Sequence, residues 1–223
     1  MITKEFKILI NHLGWGNPDA ILWTIGIEEA GIWSLDKKEE IKKFNKKVIP
    51  VSSGKDPKFS IAHPIAKIAC GISNSYHNWE KEWRDYRKNK LWKKGSKICN
   101  LNIYPLGKKS LKSTFPDDYK ELFGINNWQE YVEMVKKERF QKIQEFYKKN
   151  QPQAIICYGK SHWAEFEEIF EIDKGKAEEY VDKLTRIYPG KKIILTRHFS
   201  NGFRNDICEF LIEKLKEWNV ELP

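Results

Sequence analysis

The chain has 223 residues, 40% hydrophobic and 32% charged, with 40 Lys and Arg against 31 Asp and Glu for a formal charge of +9. This is the composition of an ordinary globular protein with room for one sizeable core, and one domain over residues 1–223 is the expected organisation. No apolar run approaches the ~20 residues of a membrane-spanning helix, and the first ten residues lack the apolar stretch and small-residue cleavage site of a signal peptide, so a soluble, cytoplasmic chain is expected.

Four apolar runs have strand length and composition: residues 20–25, 97–103, 154–158 and 192–196. Helical patterning falls between and after them, at 64–72, 78–90, 128–149, 161–170 and 205–218. Strands thus alternate with helices, which predicts right-handed crossovers and an α/β fold of three layers (α/β/α) around a central four-stranded parallel sheet. Tyr131, Val132, Val135, Phe140, Ile143, Phe146 and Tyr147 form a helical stripe, as do Ile207, Leu211, Leu215 and Trp218, and both read as core.

The positive balance favours a polyanionic partner, although lysine-rich surfaces also arise from genome composition or heat adaptation. Between Lys81 and Lys112 basic residues interleave with Trp83, Tyr86 and Trp92, with Trp79 just before them. That mixture suits phosphate contacts with base stacking, and equally an amphipathic helix whose aromatics are core. Cys70, Cys99, Cys157 and Cys208 are far apart, with no C-x-x-C pair and no histidine at metal-ligand spacing. No metal site or disulfide is expected, and Cys99 and Cys157 read as small buried hydrophobes.

Ligands of parallel sheets bind beyond the carboxyl ends of the strands, so the residues that follow each run carry the functional reading. After the first comes Gly26-Ile27-Glu28-Glu29-Ala30-Gly31, two carboxylates in a glycine-bracketed turn or simply an exposed acidic turn. The second run places Asn100 and Asn102 on one face before breaking at Tyr104-Pro105; amides there suit reading a nucleobase edge or capping a turn. The third ends at Tyr158-Gly159-Lys160-Ser161-His162, where Ser161 suits a helix cap. The fourth leads into Thr196-Arg197-His198-Phe199-Ser200-Asn201-Gly202-Phe203-Arg204, and His198 is the best single catalytic candidate.

In this order the clusters resemble the uracil-DNA glycosylase superfamily, over most of the chain. The acidic turn looks like the family's glycine-rich water-positioning motif, with Ala30 where a proline is usual. Asn100 or Asn102 looks like its base-reading asparagine, and His198-Phe199-Ser200 like its His-Pro-Ser signature with the proline replaced. The cysteine spacings lack the four-cysteine cluster of some relatives.

The resemblance implies a monomer that flips a damaged or deaminated base, of the uracil or hypoxanthine class, out of DNA and hydrolyses its N-glycosidic bond without a cofactor. Glu28 or Glu29 would position water and stabilise the oxocarbenium-like sugar, with Glu28 preferred, while His198 would donate to the departing base. Trp33 or Tyr104 would stack on the base. Lys160, Ser161, Arg197, Ser200, Asn201 and Arg204 would hold DNA, with Phe199 or a neighbour at the intercalation loop. The rival readings are a non-catalytic nucleic-acid-binding module of the same fold and a hydrolase of free nucleosides or nucleotides.

Overall fold

The computed structural model describes residues 2–28, 32–46, 55–107, 113–180, 183–200 and 203–223. Glu29 and Asn201 of the candidate residues lie outside these. The strands are β1 (Gly14–Gly16), β2 (Leu22–Glu28), β3 (Ile98–Tyr104), β4 (Ala154–Tyr158), β5 (Glu178–Tyr180), β6 (Thr185–Tyr188) and β7 (Ile193–Thr196). The α-helices are α1 (Lys4–Asn11), α2 (Lys38–Ile41), α3 (Ala62–Gly71), α4 (Trp79–Asn89), α5 (Asp117–Phe123), α6 (Trp128–Val135), α7 (Gln141–Asn150), α8 (Trp163–Ile169) and α9 (Asn205–Glu217).

The strands form one sheet in the order β1-β3-β2-β4-β7-β6-β5. The four runs expected from the sequence are its adjacent central strands. β2, β4 and β7 run parallel, with Ile25 opposite Cys157 and Cys157 opposite Leu195. β3 advances with β2, since Leu22 N–H bonds the Lys97 carbonyl while the Thr24 hydroxyl lies 3.3 Å from that of Cys99. All residues of β3, β4 and β7 are buried, as unbroken apolar runs in a sheet covered on both faces should be.

The expectation of a four-stranded, wholly parallel sheet is corrected, because the sheet is mixed and has seven strands among the described residues. On one side β6 pairs antiparallel with β7 and β5 antiparallel with β6. On the other, β1 opposes β3: the Leu13 carbonyl accepts from Asn102 N–H, while Gly16 lies against the Ile98 carbonyl. Gly16 has φ +119°, and a Cβ there would stand 2.5 Å from that oxygen, so only glycine lets this edge close. The added strands have three or four residues each, and β5 is exposed throughout, too short and too polar to register as periodic runs.

By contact the chain forms two compact units, one of Met1–Gly14, Ile27–Pro50 and Asn102–Lys149, the other of Trp15–Gly26, Val51–Leu101 and Asn150–Pro223. In the second, Ile65 and Ile68 of α3, Trp83 and Tyr86 of α4, and Leu211 and Leu215 of α9 share a core with Leu22, Ile98, Ile156 and Ile194. Asn78 starts α4 by accepting from Lys81 N–H, and the Glu82 carboxylate reaches back to the amides of His77 and Asn78. Trp83, Tyr86 and Trp92 are buried, so the core reading holds for these aromatics of the basic segment. All four cysteines are buried free thiols, and burial pushes Cys70 and Cys208 up to about 12.

In the first unit, α6 and α7 are joined through a π-helical turn at Lys136–Phe140. The wider turn carries the stripe from Val135 to Phe140 and brings Arg139 inside with it, 0% exposed. Its guanidinium donates to the carbonyls of Leu9, Ile10, His12 and Leu13 around the end of α1, and twice to that of Asn102 in β3. Those α1 carbonyls include helix-terminal groups with no helical donor, so the buried cation is satisfied by the backbone groups that need it most. Arg139→Met should therefore destabilise the fold by about 3–5 kcal/mol, read as a lower urea midpoint at unchanged slope.

Candidate functional site

In the second unit the strand ends converge on Tyr158, the last residue of β4. Its ring stacks on Phe199 at 4.4 Å and 13°, and stands edge-on to His198 at 5.6 Å and 69°. Its hydroxyl donates to Asn100 Oδ1 at 3.0 Å, and Thr24 Oγ1 lies 2.9 Å from the same oxygen. Two donors meet the carbonyl oxygen of this buried amide. Gly159, at φ +132°, turns the chain immediately after Tyr158, and its N–H bonds the Thr196 carbonyl that ends β7. The Trp163 indole donates to the same carbonyl.

The His198 imidazole is fixed by its own loop. Ser200 N–H donates to Nδ1 at 3.2 Å, and the Ser200 hydroxyl lies 2.7 Å from it. An Nδ1 that accepts from a backbone amide cannot also carry a proton, so the neutral ring holds its proton on Nε2. Burial lowers the His198 pKa below the ordinary histidine value, in the same direction. The result at neutral pH is an uncharged N–H donor of defined tautomer, suited to an oxygen on which negative charge develops.

The first unit holds the carboxylate. Glu28 closes β2, half-buried, and its charge helps raise the phenols of Tyr119 and Tyr131, for which burial is the larger cause. Tyr119, pushed up to about 12, stays protonated and donates to the Gly107 carbonyl at 3.1 Å while accepting from Trp33 N–H at 3.3 Å. It thereby ties the segment after β2 to the one after β3. Tyr131 accepts from Leu106 N–H at 2.9 Å, and its ring lies 5.9 Å from that of Tyr104.

Several sequence expectations change on these contacts. Phe199 is 2% exposed, packed between Tyr158 and Phe203, and so is a core residue and not an intercalating wedge. Tyr104 is buried between Tyr131 and Phe140, which leaves the half-buried Trp33 as the stacking candidate. Arg204 is ion-paired with Asp206 at 2.9 Å, which competes with a phosphate. Ser161 makes no helix cap; its hydroxyl lies 2.8 Å from His162 Nδ1, while exposed Lys160 lies over Trp163. Arg197 is half-buried. Asn102 is buried, with its backbone N–H on Leu13 and its carbonyl on Arg139.

Asn100, His198, Phe199 and Ser200 are therefore joined through Tyr158 in one unit, and Glu28, Trp33 and Tyr104 through Tyr119 and Tyr131 in the other. The tyrosines were missed as functional residues. Their signal is a hydroxyl carried into a buried position, at the end of an apolar run for Tyr158 and inside a helical stripe for Tyr131, where it must find a partner. No family model matches the chain, and no curated protein matches it.

Tyr158→Phe leaves Asn100 Oδ1 with one donor and should cost about 1–2 kcal/mol of stability, read by chemical denaturation. The His198 ring protons should titrate below the ordinary histidine value in NMR. Because the folded pKa is depressed, the matching stability is full above the unfolded value and is lost as pH falls through the folded one. His198→Asn should flatten that part of the pH–stability curve.

Proposed function

We propose that this chain is a DNA glycosylase-like enzyme that hydrolyses the N-glycosidic bond of a damaged or deaminated base after flipping it from the helix. The observation that carries the reading is that Tyr158, at the carboxyl end of β4, holds both the neutral His198 and the buried Asn100. Glu28 closes β2 and His198 lies two residues beyond β7, so each stands at or just past the carboxyl end of its own strand, where ligands of parallel sheets bind.

Breaking the bond makes the sugar electron-poor and the base anionic. His198 Nε2–H donates to the base oxygen where that charge collects, and a neutral donor does so without transferring its proton to the base. Glu28 stabilises the sugar, orients the water that adds to its anomeric carbon and accepts the proton that this water loses, which then passes through solvent to the released base. The Asn100 NH₂ binds an acceptor on the base edge, which favours a base with a carbonyl there, such as uracil or hypoxanthine. The reading carries with it a three-layer glycosylase-like domain, a cytoplasmic monomer acting on DNA without a cofactor. No helix among the described residues is long and apolar enough to cross a membrane.

Single-turnover assays on duplexes carrying uracil, hypoxanthine, xanthine or an alkylated base should yield abasic sites with at least one of them. Glu28→Gln and His198→Ala should each lower the rate by about 10²–10³-fold with DNA affinity nearly unchanged, because both contacts strengthen in the transition state. Salt-sensitive binding with no cleavage of any lesion would assign the chain to a non-catalytic module. Turnover of free nucleosides would assign it to small-molecule hydrolysis.

A further inference from the structure

Beside the His198 loop lies a recess of about 410 Å³ with Lys58, Ser60, His63, Lys67 and Ser200 as its polar lining and Phe203 among its apolar wall. The proposed mechanism uses none of the first four. Their chemistry is that of an anion site: two ammonium groups, two hydroxyls and an imidazole around a space large enough for a hydrated phosphate. Lys67 Nζ is ordered without being neutralised. It donates to Asn205 Oδ1 at 3.1 Å and lies 5.9 and 5.7 Å from the ring centres of Trp79 and Trp83, all uncharged partners.

Arg87 is the instructive contrast, since it makes a two-bond pair with Asp56 at 2.9 Å and its charge is spent internally. His63 packs on Trp83 at 5.2 Å; burial first, and the Arg87 charge second, hold it below the ordinary histidine value, so it enters the recess as a neutral ring. Ser200 belongs both to the recess and to the clamp on His198 Nδ1, so an anion held here is one residue away from the imidazole. Between the lining residues Lys58 and Ser60 in the chain, Phe59 is 62% exposed. An exposed aromatic ring beside cations has the chemistry to stack on a base whose phosphate those cations hold.

We infer that this recess seats a backbone phosphodiester of DNA through Lys58, Lys67 and Ser60, and that Phe59 stacks on a base beside it. The inference rests on the glycosylase reading for its partner, and it gives the DNA-binding role expected of Phe199 and Arg204 to residues that are free to perform it.

The test is fluorescence anisotropy with a labelled duplex oligonucleotide over a series of salt concentrations, alongside the single-turnover assay. Lys58→Ala and Lys67→Met should each weaken binding about 5–10-fold near 0.1 M salt and reduce the log–log salt slope by about one. Phe59→Ala should weaken it about tenfold with no change of slope. Lys176→Glu, an exposed charge change outside the recess, should leave the slope within a fraction of a unit of wild type. Lys58 and Phe59 are exposed, so these two variants keep the test decisive if Lys67→Met is poorly folded by thermal melting.

Wild-type affinity and slope in both Lys58→Ala and Phe59→Ala would overturn the assignment, as would a wild-type chain that binds no duplex. A nucleoside monophosphate that competes as well as duplex per phosphate would overturn it in favour of a mononucleotide site. Binding that depends on the recess without excision of any base would leave the surface standing and remove the glycosylase reading alone.

Discussion

The arrangement of the loop that follows β7 depends on how the hydroxyl and ring of Tyr158 are satisfied. A phenol at the end of a buried strand must find an acceptor, and Asn100 Oδ1 is the one it finds. The ring it fixes then offers one face to Phe199 and the edge-on contact to His198, so a single buried residue sets where the β7 loop begins. Gly159 makes this possible by turning the chain at a φ that other residues rarely adopt, before the ring can be displaced. The amide that orients the tyrosine is oriented by it in turn. Its carbonyl oxygen takes both hydroxyl donors, one for each lone pair.

The first unit solves a comparable problem with a charge. Arg139 is buried on a π-helical turn, where an unpaired guanidinium would be prohibitively unstable. Its guanidinium donates to backbone carbonyls, among them those of Leu9, Ile10 and His12 at the end of a short helix. The same cation holds the backbone of Asn102, so the position of β3 beyond its midpoint is set by an interaction from a helix distant in sequence. Tyr119 does for the loops what Arg139 does for the strand, with one hydroxyl bonded to the backbone on either side.

The distribution of positive charge carries more meaning than its total. Of the basic residues around Trp83, Arg87 is committed to Asp56, whereas Lys67 is held by an amide and two indoles that leave its charge intact. Cations ordered by neutral partners keep their attraction for a phosphate and have already lost much of the side-chain entropy that binding would otherwise remove. A formal charge of +9 states only that a polyanion is favoured; which lysines meet it is decided by which acids are near.

The sequence by itself determined the α/β class, the four central strands, most helix positions and the placement of Glu28 and His198 at or just beyond strand ends, because these follow from local periodicity and strand length. The three outer strands β1, β5 and β6 escaped it because three or four residues, glycine-rich in β1 and exposed in β5, carry no period to detect. Only the tertiary structure decided that Phe199 is core, that Arg204 is paired and that Lys58 and Lys67 share a recess with Ser200. It also decided the roles of Tyr158 and Arg139, and the physical reason is common to all of these. A buried hydroxyl or guanidinium announces that a partner is required, but the partner lies 58 residues away for Tyr158 and 37 for Arg139, and only the folded chain brings it within 3.1 Å.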